Sequence, residues 1–264
     1  MVYLDIQEII DYAKCPMYYA LKYKYPEFKS DYINLIEKYD LDIHKVIYYS
    51  FSKVQEGLPI RIEDIKAAWG RAWIKDKRKS SIIFSDTLSN KDVYNDRRRR
   101  GLNSLLEFQK EFSKNPGFPI IINKCFKLKI NDYLTIIGNY EVVREVEDEM
   151  NNKYLEVCSF KTDEHTNTKV NKMYDMKLIA SALAISNDID YDNIKYMNYH
   201  VDKKKFYYLN DIKTHKEIFN KSVLYIYKLI YNNIFYICPD ERCMNCIYKD
   251  LCENIDITGR IVIK

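Results

Sequence analysis

The sequence Cys-Met-Asn-Cys-Ile-Tyr-Lys-Asp-Leu-Cys occupies residues 243–252 and brings three cysteines together at C-x2-C-x5-C spacing. Thiolates are soft ligands, so this spacing predicts a zinc or iron–sulfur site. A closed site of either kind takes four ligands, and the fourth could be Cys15, Cys125, Cys158 or Cys238. We favour Cys15, in Tyr-Ala-Lys-Cys-Pro-Met-Tyr-Tyr, because this choice would join the two ends of the chain.

The other cysteines favour a reduced protein over a disulfide framework. Cys125 and Cys158 lie in apolar, strand-like runs, a pattern typical of buried free cysteines. The total of seven is odd, and no signal peptide precedes the first helix-like segment. These observations predict a cytoplasmic protein without structural disulfides.

Composition narrows the class of protein only slightly. A chain of 264 residues can bury one large core, with or without an appended subdomain. Its 42 Lys and Arg against 38 Asp and Glu give a net charge of +4, too small to identify a nucleic-acid partner. No apolar run approaches the roughly 20 residues of a membrane helix, so we expect no membrane partner.

Hydrophobic periodicity divides the chain into a helical first part and a strand-rich second part, with the change at Pro116-Gly117. Helical spacing predicts helices at 5–24 (broken at Cys15-Pro16), 30–56, 63–77, 91–114, 171–186 and 212–233. Apolar, β-branched runs predict strands at 119–130, 133–143, 153–161, 194–201 and 205–209. We therefore predict an α/β protein. Its parts would be a helical portion at 1–115, an α/β core at 116–235 and a cysteine tail at 236–264 packed on the N-terminus.

The order of these motifs resembles the RecB-like branch of the PD-(D/E)XK nucleases, in particular the members that hold a 4Fe–4S cluster. The resemblance rests on a Cys-Pro-aromatic helix, a later helical His, a strand with Gly-x-x-acid, a strand ending in x-Lys-Thr and the terminal cysteines. Such members include AddB-type helicase-nuclease subunits and nucleases of CRISPR spacer acquisition. The resemblance implies a restriction-endonuclease-like core, with a mixed central sheet flanked by helices.

The resemblance also implies two sets of site residues. The cluster ligands would be Cys15, Cys243, Cys246 and Cys252. The active site would bind Mg2+ or Mn2+, which polarises the phosphate and activates water. Carried over one by one, its catalytic positions are His44, Glu141 in Gly138-Asn139-Tyr140-Glu141, and Ser159 and Lys161 in Ser159-Phe160-Lys161-Thr162. His44 and Glu141 would be metal ligands.

Several of these positions depart from the family pattern. Glu141 replaces the usual Asp, and Ser159 replaces the second carboxylate, although a neutral hydroxyl is a poor Mg2+ ligand. Asn123 stands where the family often has Glu, Lys177 where Gln is usual, and Ser181 at a common Tyr. Asp163 or Glu164 could substitute for the lost carboxylate, since Asp163 shares a strand face with Ser159. Together these changes predict weakened metal binding.

The expected function is binding of DNA ends or single strands, with lost or weakened cleavage. An active Mg2+- or Mn2+-dependent exonuclease is the first alternative, and a zinc-clasped structural subunit is the second. Two basic clusters are expected to contact the nucleic-acid backbone. Their residues expected to bind nucleic acid are Lys77 and Arg78 in the first cluster and Arg97, Arg98, Arg99 and Arg100 in the second. A third cluster, Lys203-Lys204-Lys205, fits a solvated turn. A helicase or another replication or recombination protein would be a compatible partner.

Overall fold

The computed structural model describes residues 1–28, 33–74, 82–83, 90–162, 175–189, 191 and 193–254. The strands are β1 (Val2–Asp5), β2 (Ile33–Asn34), β3 (Ile82–Ile83), β4 (Phe118–Lys129), β5 (Leu134–Glu147), β6 (Lys153–Lys161), β7 (Ile194–His200) and β8 (Lys205–Tyr208). The helices are α1 (Ile6–Lys14), α2 (Pro16–Tyr19), α3 (Leu35–Gln55), α4 (Ile62–Ile74), α5 (Asn90–Phe112), α6 (Met176–Asp188), α7 (Ile212–Tyr231) and α8 (Lys249–Glu253). Short helical turns occupy Ala20–Lys24, Pro26–Phe28 and Glu241–Asn245.

The long strand β5 organises a mixed sheet because it pairs along both of its edges. Strand β4 runs antiparallel to it over 135–145. On the opposite edge, β1 pairs parallel with 134–137, and β6 pairs antiparallel with 142–147. Strand β7 then lies parallel to β6, and β8 lies antiparallel to β7. Helices flank this sheet, so the predicted α/β class is confirmed.

The predicted helices and strands agree closely with those observed, and the largest difference is at the N-terminus. The break at Cys15-Pro16 is confirmed, because α1 ends at Lys14 and α2 begins at Pro16. Strand β1 was not predicted. The strand is only four residues long and buries only Leu4, so it is too short to carry a periodic pattern. Asp5 ends this strand and caps α1 through a reciprocal capping box with Glu8.

Apolar side chains cover both faces of the sheet. On one face, α1, α6 and α7 pack against residues such as Val143 and Val157. On the other, α3, α4 and α5 bury an aromatic group that includes Phe51, Phe108 and Phe160. Alternate residues of β6 therefore face opposite cores, which directs Ser159 and Lys161 away from the α3–α5 face.

Gly138 allows a close contact that positions the middle of β5. A Cβ atom at this residue would lie 2.5 Å from a ring atom of Phe126 and 3.0 Å from Ile6. Only glycine therefore lets α1 and β4 pack this closely on β5. Glu141 follows three residues later on the same strand.

A third apolar cluster joins the beginning and the end of the described chain. Met17, Ala20, Leu21 and Tyr248 are buried in it. The backbone N–H of Met17 also donates to the carbonyl of Tyr236 over 3.2 Å. The predicted domain limits at 115 and 235 stay predictions, although β1 shows that the N-terminal portion supplies one strand of the central sheet. None of the described helices combines the length and apolar character needed to cross a membrane.

Candidate active site, cysteine group and basic residues

Glu141 lies at the centre of a buried polar site next to the end of the β5–β6 ladder. That ladder ends at the pair Val142 and Cys158. The backbone N–H and C=O groups of β6 beyond this pair therefore need other hydrogen-bond partners. The Glu141 Oε2 atom accepts a hydrogen bond from the Phe160 N–H over 2.7 Å. Its Oε1 atom lies 3.3 Å from Lys177 Nζ, and the side chain is only 4% exposed.

His44 reaches the same edge of β6 from α3. Its Nε2 atom lies 3.1 Å from the Phe160 carbonyl oxygen, and its Nδ1 atom lies 2.7 Å from the Asp40 carbonyl oxygen. Carbonyl oxygens only accept hydrogen bonds, so both contacts are satisfied only when both ring nitrogens carry protons. Burial lowers the pKa of His44, but Asp40 and Glu141 outweigh it and raise the pKa to about 9. Without a bound metal, these contacts therefore favour the protonated imidazolium of His44 at neutral pH.

Lys161, at the end of β6, pairs with a carboxylate that the sequence reasoning missed. Its Nζ atom lies 3.1 Å from Asp175 Oδ2, which also accepts from Asn198 Nδ2 over 2.7 Å. Asp175 is the N-cap of α6, and its Oδ1 atom accepts from the Lys177 and Leu178 N–H groups. Burial opposes ionisation of Asp175, yet Lys161 and the helix N–H groups lower its pKa.

Asp40 is a second missed carboxylate. It lies one turn before His44 on α3, and its Oδ2 atom is 3.7 Å from His44 Nδ1. Its Oδ1 atom accepts from Thr162 Oγ1 over 2.8 Å. The i, i+4 spacing of Asp40 and His44, and the place of Asp175 just before an alanine-rich helix, were the signals in the sequence.

The site therefore combines three carboxylates with three cations. Burial opposes the charge of Glu141, but Lys177, His44 and Lys161 outweigh it and lower its pKa. Burial also opposes the charge of Lys161, but Asp175 and Glu141 outweigh it and raise its pKa. The six side chains thus form a network of ion pairs, and the formal charge of the site is near zero.

The positions that depart from the family pattern make other contacts. Ser159 is buried, and its Oγ atom has no hydrogen-bond partner among the described residues. Ser181 Oγ donates to the Lys177 carbonyl one turn earlier in α6. Asn123 accepts from Asn139 Nδ2 over 3.2 Å. Asp163 and Glu164, the candidate substitutes, lie outside the described residues.

Three cysteines pack against the cluster that joins the chain ends, and Cys243 is a neighbour of two of them. Cys15 links α1 to α2, and its Sγ atom accepts from the Tyr18 N–H over 3.4 Å. Cys246 and Cys252 pack on the same apolar cluster. Burial, followed by the neighbouring Cys246, Cys15 and Cys243, raises the pKa of Cys252 to about 12. The structure thus places these four thiols near one another.

The other cysteines lie elsewhere. Cys158 is buried beside Glu156, as expected for a core cysteine. The expectation of burial is wrong for Cys125, which is exposed because the edge strand β4 is uncovered on both faces at Asn123, Lys124 and Cys125. Cys238 is half-buried.

The arginine cluster on α5 divides into separate environments. The Arg97 guanidinium is half-buried over the ring of Tyr39, at 5.7 Å from its centroid. Arg98, Arg99 and Arg100 are exposed. The other expected contacts to nucleic acid, Lys77 and Arg78, lie outside the described residues.

The comparison with family models identifies the fold. Residues 6–253 match the model of the PD-(D/E)XK nuclease superfamily, which is most of the chain. The chain belongs to this superfamily. No curated protein matches the sequence. One similar solved structure, titled "Crystal structure of SSO0001", is 12% identical and covers 90% of this chain and 93% of its own, with a TM-score of 0.30. That similarity is too low to support an argument.

Membership in the PD-(D/E)XK superfamily implies a divalent metal, typically Mg2+ or Mn2+. Its carboxylate donors would be Glu141 and Asp175, and each already lies beside a lysine. The donor set fits the metal poorly, because Lys177 and Lys161 compete for these carboxylates and Ser159 offers only a neutral hydroxyl at the position of the second carboxylate. Within the described part of the chain, no group of three or more His, Cys, Asp or Glu side chains is arranged to hold a metal ion.

The cysteines likewise form no group of three or more side chains that could hold a metal ion as they stand in the described residues, although their four thiols are neighbours. Four thiols are the donor set of a 4Fe–4S cluster or a tetrahedral zinc ion.

Proposed function

We propose that this PD-(D/E)XK protein binds DNA ends or single strands and that its metal-dependent cleavage is lost or greatly weakened. The observation that carries this proposal is the ion pair between Glu141 Oε1 and Lys177 Nζ, at 3.3 Å. By the resemblance, Glu141 would be the first metal ligand of the nuclease motif, and the nearby ammonium opposes its charge at ion-pair distance without a hydrogen bond to Oε1 among the described residues.

The charge of the site supports this proposal. A hard divalent cation binds where carboxylates exceed cations, because their mutual repulsion is relieved when it arrives. Here Lys161, Lys177 and the His44 imidazolium already balance Asp40, Glu141 and Asp175. A metal would have to displace Lys177 from Glu141 and Lys161 from Asp175, because Ser159 offers only a neutral hydroxyl.

The cation arrangement suits binding of a phosphate more than hydrolysis. Lys161 and Lys177 are both partly exposed, at 23% and 28%. Each can donate to a phosphate oxygen while its buried partner carboxylate fixes its position. A site that retains its lysines without the metal keeps affinity for the backbone and loses the activation of water.

We also propose a 4Fe–4S cluster held by Cys15, Cys243, Cys246 and Cys252. The proximity of the four thiols around Tyr248 supports it, because Cys15 comes from the first helices and the others come from the end of the chain. Such a cluster would fasten the two ends of the fold and add the free energy of ligand binding to stability. Zinc is the alternative occupant of the same thiols.

The test measures binding and cleavage separately on the same preparations. Binding of single-stranded and blunt duplex DNA is measured by fluorescence anisotropy, and cleavage is measured on gels with Mg2+ or Mn2+. We expect salt-dependent binding of DNA and no cleavage above that of a Lys161→Ala, Glu141→Ala control. Cleavage that depends on Mn2+ and disappears in this control would contradict the proposal.

An active nuclease is the second candidate, and one observation favours it. Asp175 brings a second carboxylate to Lys161, so the loss at Ser159 is compensated in charge. If this candidate is right, Asp175→Asn abolishes both cleavage and Mn2+ binding, whereas Asp188→Asn, at the other end of α6, leaves both unchanged. A replication or recombination helicase is a compatible partner in either case.

A further inference from the structure

A concave basic pocket lies between α5 and the turn that joins β7 to β8. Its volume is about 340 Å³. Three cations line it, Arg99, Arg100 and Lys204, against two carboxylates, Asp96 and Asp202, and Asn103 and Ser104 add neutral polar groups. These residues come from two segments that are about 100 positions apart in the sequence, so the fold itself assembles the pocket.

A buried carboxylate forms the base of the pocket and orders one of its cations. The Asp202 side chain is only 2% exposed and lies 3.7 Å from the Arg100 guanidinium. Its Oδ1 atom accepts hydrogen bonds from Tyr39 and Ser104, the latter over 2.7 Å. The carboxylate is therefore enclosed by donors, and it holds Arg100 at the wall instead of presenting negative charge to a ligand.

Among the described residues, the other two cations have only weak ion-pair partners. Arg99 pairs with Asp96 over 2.7 Å, but both side chains are more than half exposed. Lys204 lies 3.4 Å from Glu107, and both of these are also well exposed. Exposed pairs of this kind contribute little because water and salt screen them. Arg99 and Lys204 can therefore turn toward an anion at small cost.

The pocket opens at the same end of the sheet as the candidate active site. Lys161 is paired with His200 in the β6–β7 register, and Asp202 follows His200 by two residues. At strand spacings this places the backbone of Asp202 on the order of 10 Å from the backbone of Lys161. The two sites therefore lie near the same end of the sheet.

We propose that this pocket binds one phosphate group of a nucleic-acid strand. The phosphate would contact the guanidinium groups of Arg99 and Arg100, the latter held by Asp202, and the ammonium of Lys204. Planar guanidinium groups match phosphate oxygens in pairs, and the lysine adds a point charge. The proposal rests on the DNA-binding function proposed above, and it assigns the contact to two of the four consecutive arginines. Arg97 and Arg98 lie outside the pocket.

The test compares two variants that remove the same charge. The pocket variant is Arg99→Gln with Lys204→Asn; asparagine tolerates the left-handed backbone of residue 204, whose φ is 56°. The control is Lys110→Gln with Lys205→Gln, which are exposed and do not line the pocket. Binding of a labelled single strand is measured over a salt series, with a 5′-phosphate or a 5′-hydroxyl, and binding of inorganic phosphate is followed by phosphorus NMR. Thermal unfolding checks that both variants fold.

We expect the pocket variant to lose inorganic phosphate binding and to reduce the slope of log affinity against log salt by about 1 to 2, whereas the control keeps both near wild type. A larger loss with the 5′-phosphate strand assigns the pocket to a strand end, and an equal loss assigns it to an internal phosphate. Equal effects of the two variants on the slope and on phosphate binding would overturn the inference while leaving DNA binding intact. If no form binds DNA but phosphate binding is still lost only in the pocket variant, the DNA-binding function fails and the phosphate pocket stands.

Discussion

Removing the charge of Glu141 tests whether its carboxylate stabilises the neighbouring lysines and His44 or serves as a metal ligand. The change Glu141→Gln keeps the shape of the side chain but leaves Lys177, His44 and Lys161 facing one another without it. At an effective dielectric constant of about 20, opposite charges at the 3.3 Å of the Lys177 contact attract by about 5 kcal/mol, and desolvation offsets part of this. Breaking a buried pair costs about 3–5 kcal/mol, and we take the lower end because Lys177 is 28% exposed.

We therefore expect Glu141→Gln to lower the free energy of unfolding by about 3 kcal/mol, or the unfolding temperature by about 6–12 °C. Chemical denaturation and calorimetry without divalent metal measure this. The matched control is Glu145→Gln on the same strand, whose partner Lys153 is 59% exposed, and it should cost about 1 kcal/mol or less. Adding Lys177→Gln to Glu141→Gln should recover part of the loss. A Glu141→Gln protein as stable as wild type, or more stable, would refute the reasoning, because that is the behaviour of a site with excess negative charge.

Three further predictions follow from the geometry. The folded-state pKa of His44 is raised from 6.5 to about 9, so its contribution to stability is complete below 6.5 and is lost as the pH rises through 9. Unfolding temperatures measured across that range should fall at the alkaline end in wild type and stay flatter in His44→Gln; parallel curves would contradict this. Anaerobically purified protein should be brown and contain about four iron atoms per chain. Cys15→Ser should lose the iron, whereas Cys125→Ser, on the exposed edge strand, should keep it. Zinc in place of iron would favour zinc as the occupant of the four thiols. Gly101→Ala should lower the free energy of unfolding by about 1–3 kcal/mol, because the added Cβ would lie 2.5 Å from a tryptophan ring of α4. Gly70→Ala, whose Cβ would meet nothing within 4 Å, should be neutral or slightly stabilising. Equal stability of the two glycine variants would show that the packing of α5 on α4 is different.

The sequence predicted most of the fold because its signals are local. Helical spacing located α3 and α5 within a few residues, and alternating apolar runs located β4 to β6. Strand β1 escaped prediction because its stability comes from pairing with β5, about 130 residues away, and not from its own four side chains. Tertiary contacts of this kind leave no periodic pattern in the sequence.

The candidate site was predicted only in part, for a similar reason. Motif matching placed Glu141, Lys161 and His44, and the structure brings all three together. It missed Asp40 and Asp175, because each contributes through a contact made across the fold and not through a motif position. With these two carboxylates, the negative charges of the site equal its positive charges, even though a metal ligand is missing at Ser159.

The central claim is that internal cations occupy the role that a divalent metal has in an active PD-(D/E)XK site. Titration of Mn2+, followed by calorimetry and by electron paramagnetic resonance, tests it on wild type and on a Ser159→Asp, Lys177→Gln variant, which adds a carboxylate and removes the competing ammonium. We predict no saturable Mn2+ binding at this site in wild type and one bound Mn2+ in the variant. Saturable binding by the wild type that disappears in Glu141→Gln would contradict the claim.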